Sequence, residues 1–203
     1  LIPMAFATGS KRDISGNWLY PSEVEKIDEK WLLKSDKTIV SIGRSEKMSK
    51  SRKNIVSPEE MLNKYGADTL RLCMVSDTPC DRDLNWESAK LHGSYRYIVK
   101  VWDLIIKKAL PIINKSYIFD KKEDVYLKKI THRVIKDATY HIEKFQFHLY
   151  ISDLRILTSV ISEIINLNKI KNVNCLKKSI EVLIILLNPI TPHLSEELWR
   201  RVG

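Results

Sequence analysis

From residue 87 onward, apolar side chains recur every three to four positions, which is the spacing of one face of an α-helix. Four such stripes follow one another, with short polar links between them. A last helix is predicted from Pro192 to Trp199, with Thr191 as its cap. These elements predict an antiparallel helical bundle over residues 87–203. The stripes consist of Ile98, Val101, Trp102, Ile105 and Ala109; Leu127, Ile130, Val134, Ala138 and Ile142; Leu154, Leu157, Ile161, Ile164 and Ile165; and Leu176, Ile180, Leu183, Ile184 and Leu187.

The first 43 residues contain shorter elements. Runs of β-forming residues predict strands at 17–20 and 38–42. Ser22 and Glu25 have the spacing of a capping box, which predicts one helical turn. These elements are too small to form a core of their own, so we expect this stretch to be the end of a larger unit.

Residues 44–57 are predicted to form a basic loop, and clear helix signals follow it. Ser57 can cap a helix whose first residue is Pro58, and Gly66 is suited to end that helix. A second helix is predicted over residues 67–75, with Leu70, Cys73 and Met74 facing inward.

The chain of 203 residues carries a formal net charge of +9, from 34 basic and 25 acidic residues. This excess can reflect solubility alone, or it can indicate a polyanionic partner such as nucleic acid. Charge does not decide between these alternatives. The hydrophobic content of 44% is that of a globular protein and argues against disorder.

Three cysteines, Cys73, Cys80 and Cys175, form no CxxC pair and make a poor disulfide framework. We therefore expect reduced thiols and no metal site. No apolar run has the length of a membrane span, so no membrane association is expected. The chain starts at Leu1 without an initiator methionine, which indicates an excised segment or a start outside this sequence.

The strongest candidate for chemistry is the run Lys47-Met48-Ser49-Lys50-Ser51. Two lysines flank a small serine, and a second serine follows. Between residues 44 and 53, basic side chains outnumber the single acid, Glu46. A short cationic loop with hydroxyl donors suits a polyphosphate that is gripped in one step and released afterwards. The alternative is an ordinary solvated basic loop.

Several separated blocks of sequence resemble class Ia aminoacyl-tRNA synthetases, and most closely the leucyl-tRNA synthetases of bacterial or organellar type. Together they cover about three quarters of the chain, in the order that this family uses. Two positions depart from the family pattern: Ile55 stands in place of a common glycine, and His148 in place of an asparagine. The blocks are Glu46-Lys-Met-Ser-Lys-Ser51; Lys64-Tyr-Gly-Ala-Asp-Thr-Leu-Arg-Leu72; Asp83-Leu-Asn-Trp86; and Leu187-Asn-Pro-Ile-Thr-Pro-His-Leu-Ser-Glu-Glu-Leu-Trp199.

The resemblance implies a mostly α fold. Residues 1–43 would be the end of a Rossmann-type catalytic domain with short β elements, or of its insert. Residues 44–86 would hold the KMSKS signature loop and the helices that link it to the bundle. Residues 87–203 would be the helical anticodon-binding domain, which is the tRNA-binding part. The HIGH motif and the amino-acid pocket lie upstream in this family, so this segment alone is expected to be inactive.

The resemblance also implies roles for the loop. Lys50 and Lys47 are the predicted catalytic residues, because they would stabilise the pyrophosphate that leaves ATP. Met48, Ser49 and Ser51 complete the predicted ATP-binding set. Mg²⁺ is expected with ATP, with no ligands among these residues.

A complete enzyme of this kind is a leucine–tRNA ligase, which activates leucine with ATP and transfers it to tRNA-Leu. It is expected to be a monomer in the cytoplasm or an organellar matrix. Two alternatives remain open: a class Ia synthetase for isoleucine, valine or methionine, and a non-catalytic tRNA-binding module derived from a synthetase.

The remaining polar and aromatic candidates favour structural roles. Asp68 is expected to cap its own helix and Arg71 to pair with a nearby acid. His193 is expected to form a local contact. The tryptophans at 86, 102 and 199 are expected in the core rather than stacked on bases. Four lysine pairs can contact tRNA phosphates or can face solvent; they are Lys107-Lys108, Lys121-Lys122, Lys128-Lys129 and Lys177-Lys178.

Overall fold

A computed structural model describes residues 6–79, 82, 84–115, 124–170 and 172–203. The chain divides into two compact units. The first comprises Leu1–Lys64 and Cys80–Lys90, and the second comprises Tyr65–Pro79 and Leu91–Gly203. The protein is mostly helical with a few short strands, as predicted, while the division into three segments at residues 43 and 86 stays a prediction.

The first unit contains a three-stranded sheet in the order β4-β1-β5. β1 pairs with β4 in antiparallel fashion and with β5 in parallel fashion. The predicted strand at 38–42 begins only at Ser41 and continues to Lys47, so the first residues of the predicted loop belong to a strand. The strand bounds are β1 Phe6–Arg12, β2 Val24–Ile27, β3 Lys30–Leu33, β4 Ser41–Lys47 and β5 Leu84–Asn85.

A second small sheet is the β2–β3 hairpin. Leu19, Val24 and Val40 form a small buried cluster with it. The predicted strand at 17–20 is wrong, because only Trp18 there makes an isolated bridge to β1. The predicted helical turn exists as a 3₁₀ turn over Pro21–Glu23, but its capping box is shifted.

The shift of the capping box has a simple cause. The backbone N–H of Tyr20 donates to the carboxylate of Glu23 at 2.7 Å, so the turn is capped two positions before the predicted cap, Ser22. Glu25 instead lies in β2.

The helices follow the predicted stripes closely. Helix α1 begins at Pro58 and ends before Gly66, whose φ of 80° is left-handed and favours glycine. The later helices extend the predicted stripes by up to ten residues. The helix bounds are α1 Pro58–Tyr65, α2 Ala67–Ser76, α3 Ser88–Trp102, α4 Leu110–Lys115, α5 Val125–Glu143, α6 Phe147–Asn166, α7 Val173–Leu187 and α8 Pro192–Val202.

Between α3 and α4 the chain widens into a π-helix over Asp103–Ala109. At its end, the N–H of Leu110 donates to the carbonyl of Ile105, five residues earlier. Pro111 explains this widening, because proline lacks an N–H and clashes with the carbonyl four residues before it in a regular α-helix. The apolar stripe alone does not reveal this change of helix type.

The core of the second unit is built by the facing sides of the bundle helices, joined by short links. All twenty predicted stripe positions are buried or half-buried, and the structure therefore confirms that they face inward. A polar contact crosses this core: the Thr131 and Ser179 hydroxyls lie 2.9 Å apart, and each also lies 2.8 Å from a carbonyl of its own helix. One hydroxyl can donate to its carbonyl while it accepts the proton of the other. This arrangement satisfies both buried hydroxyls.

Candidate functional site

Strand β4 ends at Lys47, which is the first lysine of the signature loop. Lys47 lies opposite Ala7 of β1, and its side chain is exposed. Two β4 residues, Gly43 and Arg44, oppose the single residue Ser10, which makes a β-bulge. A Cβ atom at Gly43 would collide with the Ser10 hydroxyl. Any other residue at position 43 would require the Ser10 hydroxyl to rotate away.

After Met48 the chain makes two overlapping turns. The N–H of Arg52 donates to the carbonyl of Ser49 at 3.2 Å, and the N–H of Lys53 donates to the carbonyl of Lys50 at 3.1 Å. Lys53 takes a left-handed φ of 50°. These turns leave Lys50 and Ser51 exposed, so their side chains are accessible to a ligand.

Asn54 closes the loop from inside. It is only 1% exposed, and its Oδ1 accepts from the N–H of Ser49 at 2.8 Å. Its Nδ2 donates to the carbonyls of Glu46 and Lys47 at 3.4 and 3.3 Å. One amide side chain thus ties both ends of the turn together. Asn54 follows the first family block by three residues, and the sequence pattern assigned it no role; its position directly after a cationic turn is the sequence signal for this function.

The charges of the loop fall into two groups. Glu46 forms an ion pair with Arg52, and Arg44 Nε lies 3.5 Å from the same carboxylate. Lys53 places its ammonium 5.2 Å from the ring centre of Tyr20. In contrast, Lys47 and Lys50 form no ion pair with any residue that the structure describes. Their ammonium groups are therefore the loop charges left for a ligand.

The predicted binding residues form one continuous turn. Met48 and Ser49 are half-buried, and the hydroxyls of Ser49 and Ser51 lie 2.8 Å apart. Two exposed ammonium groups and two hydroxyls on one closed turn match the donor set that a polyphosphate needs. Within the described ranges, no group of three potential ligand side chains is placed to hold a metal ion.

Asp68 and Arg71 of α2 have other partners than predicted. Asp68 accepts from the N–H of Leu194 at 2.7 Å and from His193 Nδ1 at 2.8 Å. Arg71 donates to the carbonyls of Pro189 and Ile190 at 2.9 and 2.8 Å. Asp68 therefore caps α8 rather than its own helix, and the predicted local contact of His193 is wrong. Both side chains fix the turn between α7 and α8 against α2.

The tryptophans differ in environment. Trp86 and Trp102 are half-buried, and Arg201 lies over the Trp102 ring at 4.9 Å. Trp199 is 43% exposed, so its predicted place in the core is wrong. The buried face of α8 consists of Ser195, Leu198 and Val202, and Trp199 lies one position off that face.

Among the lysine pairs, Lys121-Lys122 lies outside the described residues. In the remaining predicted pairs, three lysines contact other side chains of the bundle. These contacts do not exclude a contact with tRNA. These pairs are Lys107 with Asp103 at 2.8 Å, Lys108 with Asn166 at 2.9 Å, and Lys177 with Glu181 at 3.8 Å. In the described part of the chain, none of the helices is long and apolar enough to cross a membrane.

Two protein-family profiles match the chain. Residues 36–87 match tRNA synthetases class I (I, L, M and V), and residues 124–203 match the anticodon-binding domain of tRNA ligase. The first match contains the signature loop and α2, and the second contains α5 to α8.

Curated relatives with similar sequences carry the name leucine–tRNA ligase. The protein of Desulfatibacillum aliphaticivorans is 40% identical over 196 residues, which are 92% of this chain and 22% of the relative. The protein of Orientia tsutsugamushi is 40% identical over 190 residues, which are 93% of this chain and 21% of the relative. The protein of Ehrlichia canis is 35% identical over 193 residues, which are 94% of this chain and 22% of the relative. The chain therefore spans about a fifth of the length of the curated relatives it matches.

Solved structures of similar fold include a LeuRS of Agrobacterium radiobacter in a ternary complex with tRNA and LeuAMS. The match has a TM-score of 0.68 and 27% identity, and it covers 78% of this chain and 20% of that one. A methionyl-tRNA synthetase of Mycobacterium tuberculosis matches with a TM-score of 0.63 over 94% of this chain and 70% of that one. At 8% identity, this second match concerns the fold alone.

Proposed function

We propose that this chain is part of a class I tRNA synthetase and that its parent protein is a leucine–tRNA ligase. The parent would use ATP to convert leucine to leucyl-adenylate and would then transfer leucine to tRNA-Leu. This segment would supply the loop that binds the ATP phosphates and the bundle that binds tRNA.

Adenylate formation is an in-line displacement at the α-phosphate of ATP by the leucine carboxylate. The bond to pyrophosphate breaks, and negative charge builds up on that leaving group. A lysine that contacts this charge more strongly in the transition state than in the ground state accelerates the reaction. We assign this role to Lys50, with Lys47 as its assistant.

The observation that supports this assignment is the state of the two ammonium groups. Both are exposed on one closed turn, and neither is neutralised by a described carboxylate, whereas Glu46 is engaged by Arg52 and Arg44. A charge held by a structured turn needs little reorganisation when pyrophosphate forms. Ser49 and Ser51 would add hydroxyl donors, and Met48 would lie beside the adenosine.

Mg²⁺ would accompany ATP as a charge partner of its phosphates. The only carboxylate of the loop, Glu46, is occupied by arginines. We therefore assign no Mg²⁺ ligand to the signature loop.

Residues 87–203 would bind tRNA-Leu, in keeping with the anticodon-binding match of α5 to α8. Residues 1–43 would be the end of the catalytic domain or its insert, and residues 44–86 the signature loop and linking helices. The enzyme would act as a monomer in the cytoplasm or an organellar matrix. This segment alone would be inactive, since the family's HIGH motif is not part of it.

A different amino-acid specificity is the main alternative, because the profile that matches residues 36–87 is shared by the isoleucine, leucine, methionine and valine enzymes. Amino-acid-dependent ATP–pyrophosphate exchange by the full-length parent separates these cases. Exchange that depends on leucine, and not on the other three, supports the proposal. Exchange with one of the other three in place of leucine would replace it.

The decisive variant is Lys50→Ala in the full-length parent. Loss of one preorganised charge should lower the leucine-dependent exchange rate by about 10²- to 10³-fold. Lys30→Ala is the matched control, because Lys30 is an exposed lysine in β3 of the same unit. An exchange rate that is the same for both variants would exclude Lys50 from the reaction.

A further inference from the structure

Lys11 of β1 is unusually buried for a lysine, with 8% of its surface exposed. Its ammonium lies 4.9 Å from the centre of the Trp31 ring, and no described carboxylate pairs with it. Burial lowers the pKa of Lys11 from its ordinary value of 10.5. A buried cation usually has a counter-ion, because its desolvation is otherwise not compensated. Lys11 thus has the environment of a group whose anionic partner is supplied by a ligand.

Lys11 faces an open groove of about 1170 Å³ in the first unit. The small residues Gly9 and Ser45 line it, so there is space above the sheet. Tyr20 and Trp86 also line the groove, and each leaves part of its ring accessible.

The groove is lined by two basic and two acidic side chains. Lys26 joins Lys11 in the lining, while the acids of the lining are Glu60 and Glu87. Glu87 is paired with Lys90 at 3.3 Å, which leaves Glu60 as the one lining carboxylate without a described ion pair. Because Lys11 is buried and no described carboxylate pairs with it, an anion with an aromatic group suits the part of the groove beside Lys11.

The strand register relates this groove to the signature loop. Lys11 lies opposite Ile42, Gly9 opposite Ser45, and Ala7 opposite Lys47. Residues that are paired, or two apart along a strand, share a face, so Lys11 and Lys47 lie on the same face of the sheet. Four residues of strand separate Lys11 from Ala7, which is about 13 Å. Lys11 and the start of the signature loop are therefore separate positions on one face of the sheet.

We propose that this groove binds a single-stranded segment of RNA, with a phosphate on Lys11 and unpaired bases against Tyr20 and Trp86. The inference rests on the proposed function, because tRNA is the RNA that the parent enzyme would bring to this sheet. Single-stranded nucleic acids are bound by this combination of cationic side chains and aromatic stacking surfaces. The other candidate anions are free polyphosphate and a carboxylate from elsewhere in the parent protein.

Differential acetylation of lysines in the full-length parent separates these occupants. The rate of modification of Lys11 is measured by peptide mass spectrometry alone, with a tRNA-Leu transcript, and with tripolyphosphate. The transcript should slow modification of Lys11 at least several-fold and leave Lys30 unchanged. A short single-stranded oligoribonucleotide should protect Lys11 better than a duplex of the same sequence.

Four results would overturn the proposal. Three of them are an unchanged modification rate of Lys11 with the transcript, protection of Lys11 by tripolyphosphate as strong as that by RNA, and protection by the duplex as strong as that by the single strand. A Lys11 that is already unreactive in the protein alone, and stays so with RNA, indicates a carboxylate of the parent as its partner and equally overturns it.

Variants give a second measurement. Lys11→Met keeps the length of the side chain and removes its charge, and it should weaken tRNA binding by about tenfold at low salt. The slope of log affinity against log salt should fall by about 0.7, as expected for one lost contact to single-stranded phosphate. Lys11→Arg should recover most of the affinity, and Lys30→Met should match the wild type. Equal affinity and slope for Lys11→Met and Lys30→Met would contradict the proposal.

Failure of the RNA-groove proposal is distinguishable from failure of the proposed ligase function. The Lys50→Ala exchange measurement needs no tRNA and does not involve Lys11. If Lys50→Ala abolishes exchange while RNA leaves Lys11 unprotected, the ligase assignment stands and the RNA groove is wrong. If leucine supports no exchange, the ligase assignment fails whatever happens at Lys11.

Discussion

Asp68 accepts a hydrogen bond from His193 at 2.8 Å although 125 residues separate them in the chain. Asp68 belongs to the segment that matches class I synthetases, and His193 to the segment that matches the anticodon-binding domain. The pair therefore joins two family segments within one compact unit. The side chain of His193 remains 77% exposed, so the main structural role falls to the buried carboxylate of Asp68.

Asp68→Ala should lower the free energy of unfolding of this chain by about 1–3 kcal/mol. The change removes the N-terminal cap of α8 and leaves the N–H of Leu194 without its acceptor. Chemical denaturation measures the loss. Glu196→Ala serves as the control, because Glu196 is an exposed carboxylate on the same helix. Equal stabilities of the two variants would mean that the Asp68 cap contributes nothing.

The hydroxyl groups of Tyr97 and Tyr150 should make the stability of the second unit depend on pH in the alkaline range. Burial raises the pKa of each hydroxyl to about 12, and the hydroxyl of Tyr97 lies 3.0 Å from that of Thr158. Between the ordinary pKa of 10.0 and about 12, the unfolded chain releases protons that the folded chain keeps. Stability from these groups is complete below pH 10 and is lost as the pH rises through 12.

Tyr97→Phe tests this alkaline dependence. The variant lacks one titrating hydroxyl, while Thr158 keeps its hydrogen bond to Leu154 at 2.8 Å. Its free energy of unfolding should therefore fall less steeply between pH 10 and 12 than that of the wild type. Tyr140→Phe, which changes an exposed tyrosine, should leave the slope as it is. Identical slopes for the two variants would contradict the assignment.

Lys11 should have the opposite pH dependence in the first unit. Since burial lowers its pKa below 10.5, the unfolded chain binds more protons than the folded chain between the lowered pKa and 10.5. The buried charge of Lys11 therefore lowers the free energy of unfolding at neutral pH, and this destabilisation disappears as the pH rises through that window. Lys11→Met should thus stabilise the protein at neutral pH, and the gain should shrink toward pH 10.5. Thermal unfolding at several pH values measures this; a lower melting temperature for Lys11→Met would show a structural role instead.

Sequence periodicity predicted the bundle because the spacing of apolar residues in a helix is local. The same reasoning failed where a segment takes its structure from contacts with residues that are distant in the sequence. β1 shows no clear alternation and is defined by pairing with β4 and β5, which lie far from it in sequence. Asp68 and Arg71 bind a turn that begins more than a hundred residues later. Even the π-helix depends on one residue, Pro111, rather than on the stripe.

The signature loop shows the same division. Its five predicted binding residues are consecutive, so their proximity follows from the chain itself, and their roles stay predictions. The closure of the loop by Asn54 depends on three backbone groups that meet only after folding. No residue pattern states which side chain makes such a closure.

Asn54→Ala should weaken the organisation of the signature loop without removing any of its charges. The variant frees the N–H of Ser49 and the carbonyls of Glu46 and Lys47, and the turn that presents Lys50 loses its internal support. Because preorganisation of the charge matters most in the transition state, kcat for leucine-dependent pyrophosphate exchange should fall about 10- to 100-fold.

The matched control is Asn63→Ala, since Asn63 is an exposed asparagine in α1 of the same unit. Combining Asn54→Ala with Lys50→Ala distinguishes the mechanism: if Asn54 acts by positioning Lys50, the double variant should be little worse than Lys50→Ala alone. Effects that multiply fully would mean that Asn54 supports the reaction independently of Lys50. A wild-type rate for Asn54→Ala would show that the loop keeps its catalytic geometry without this closure.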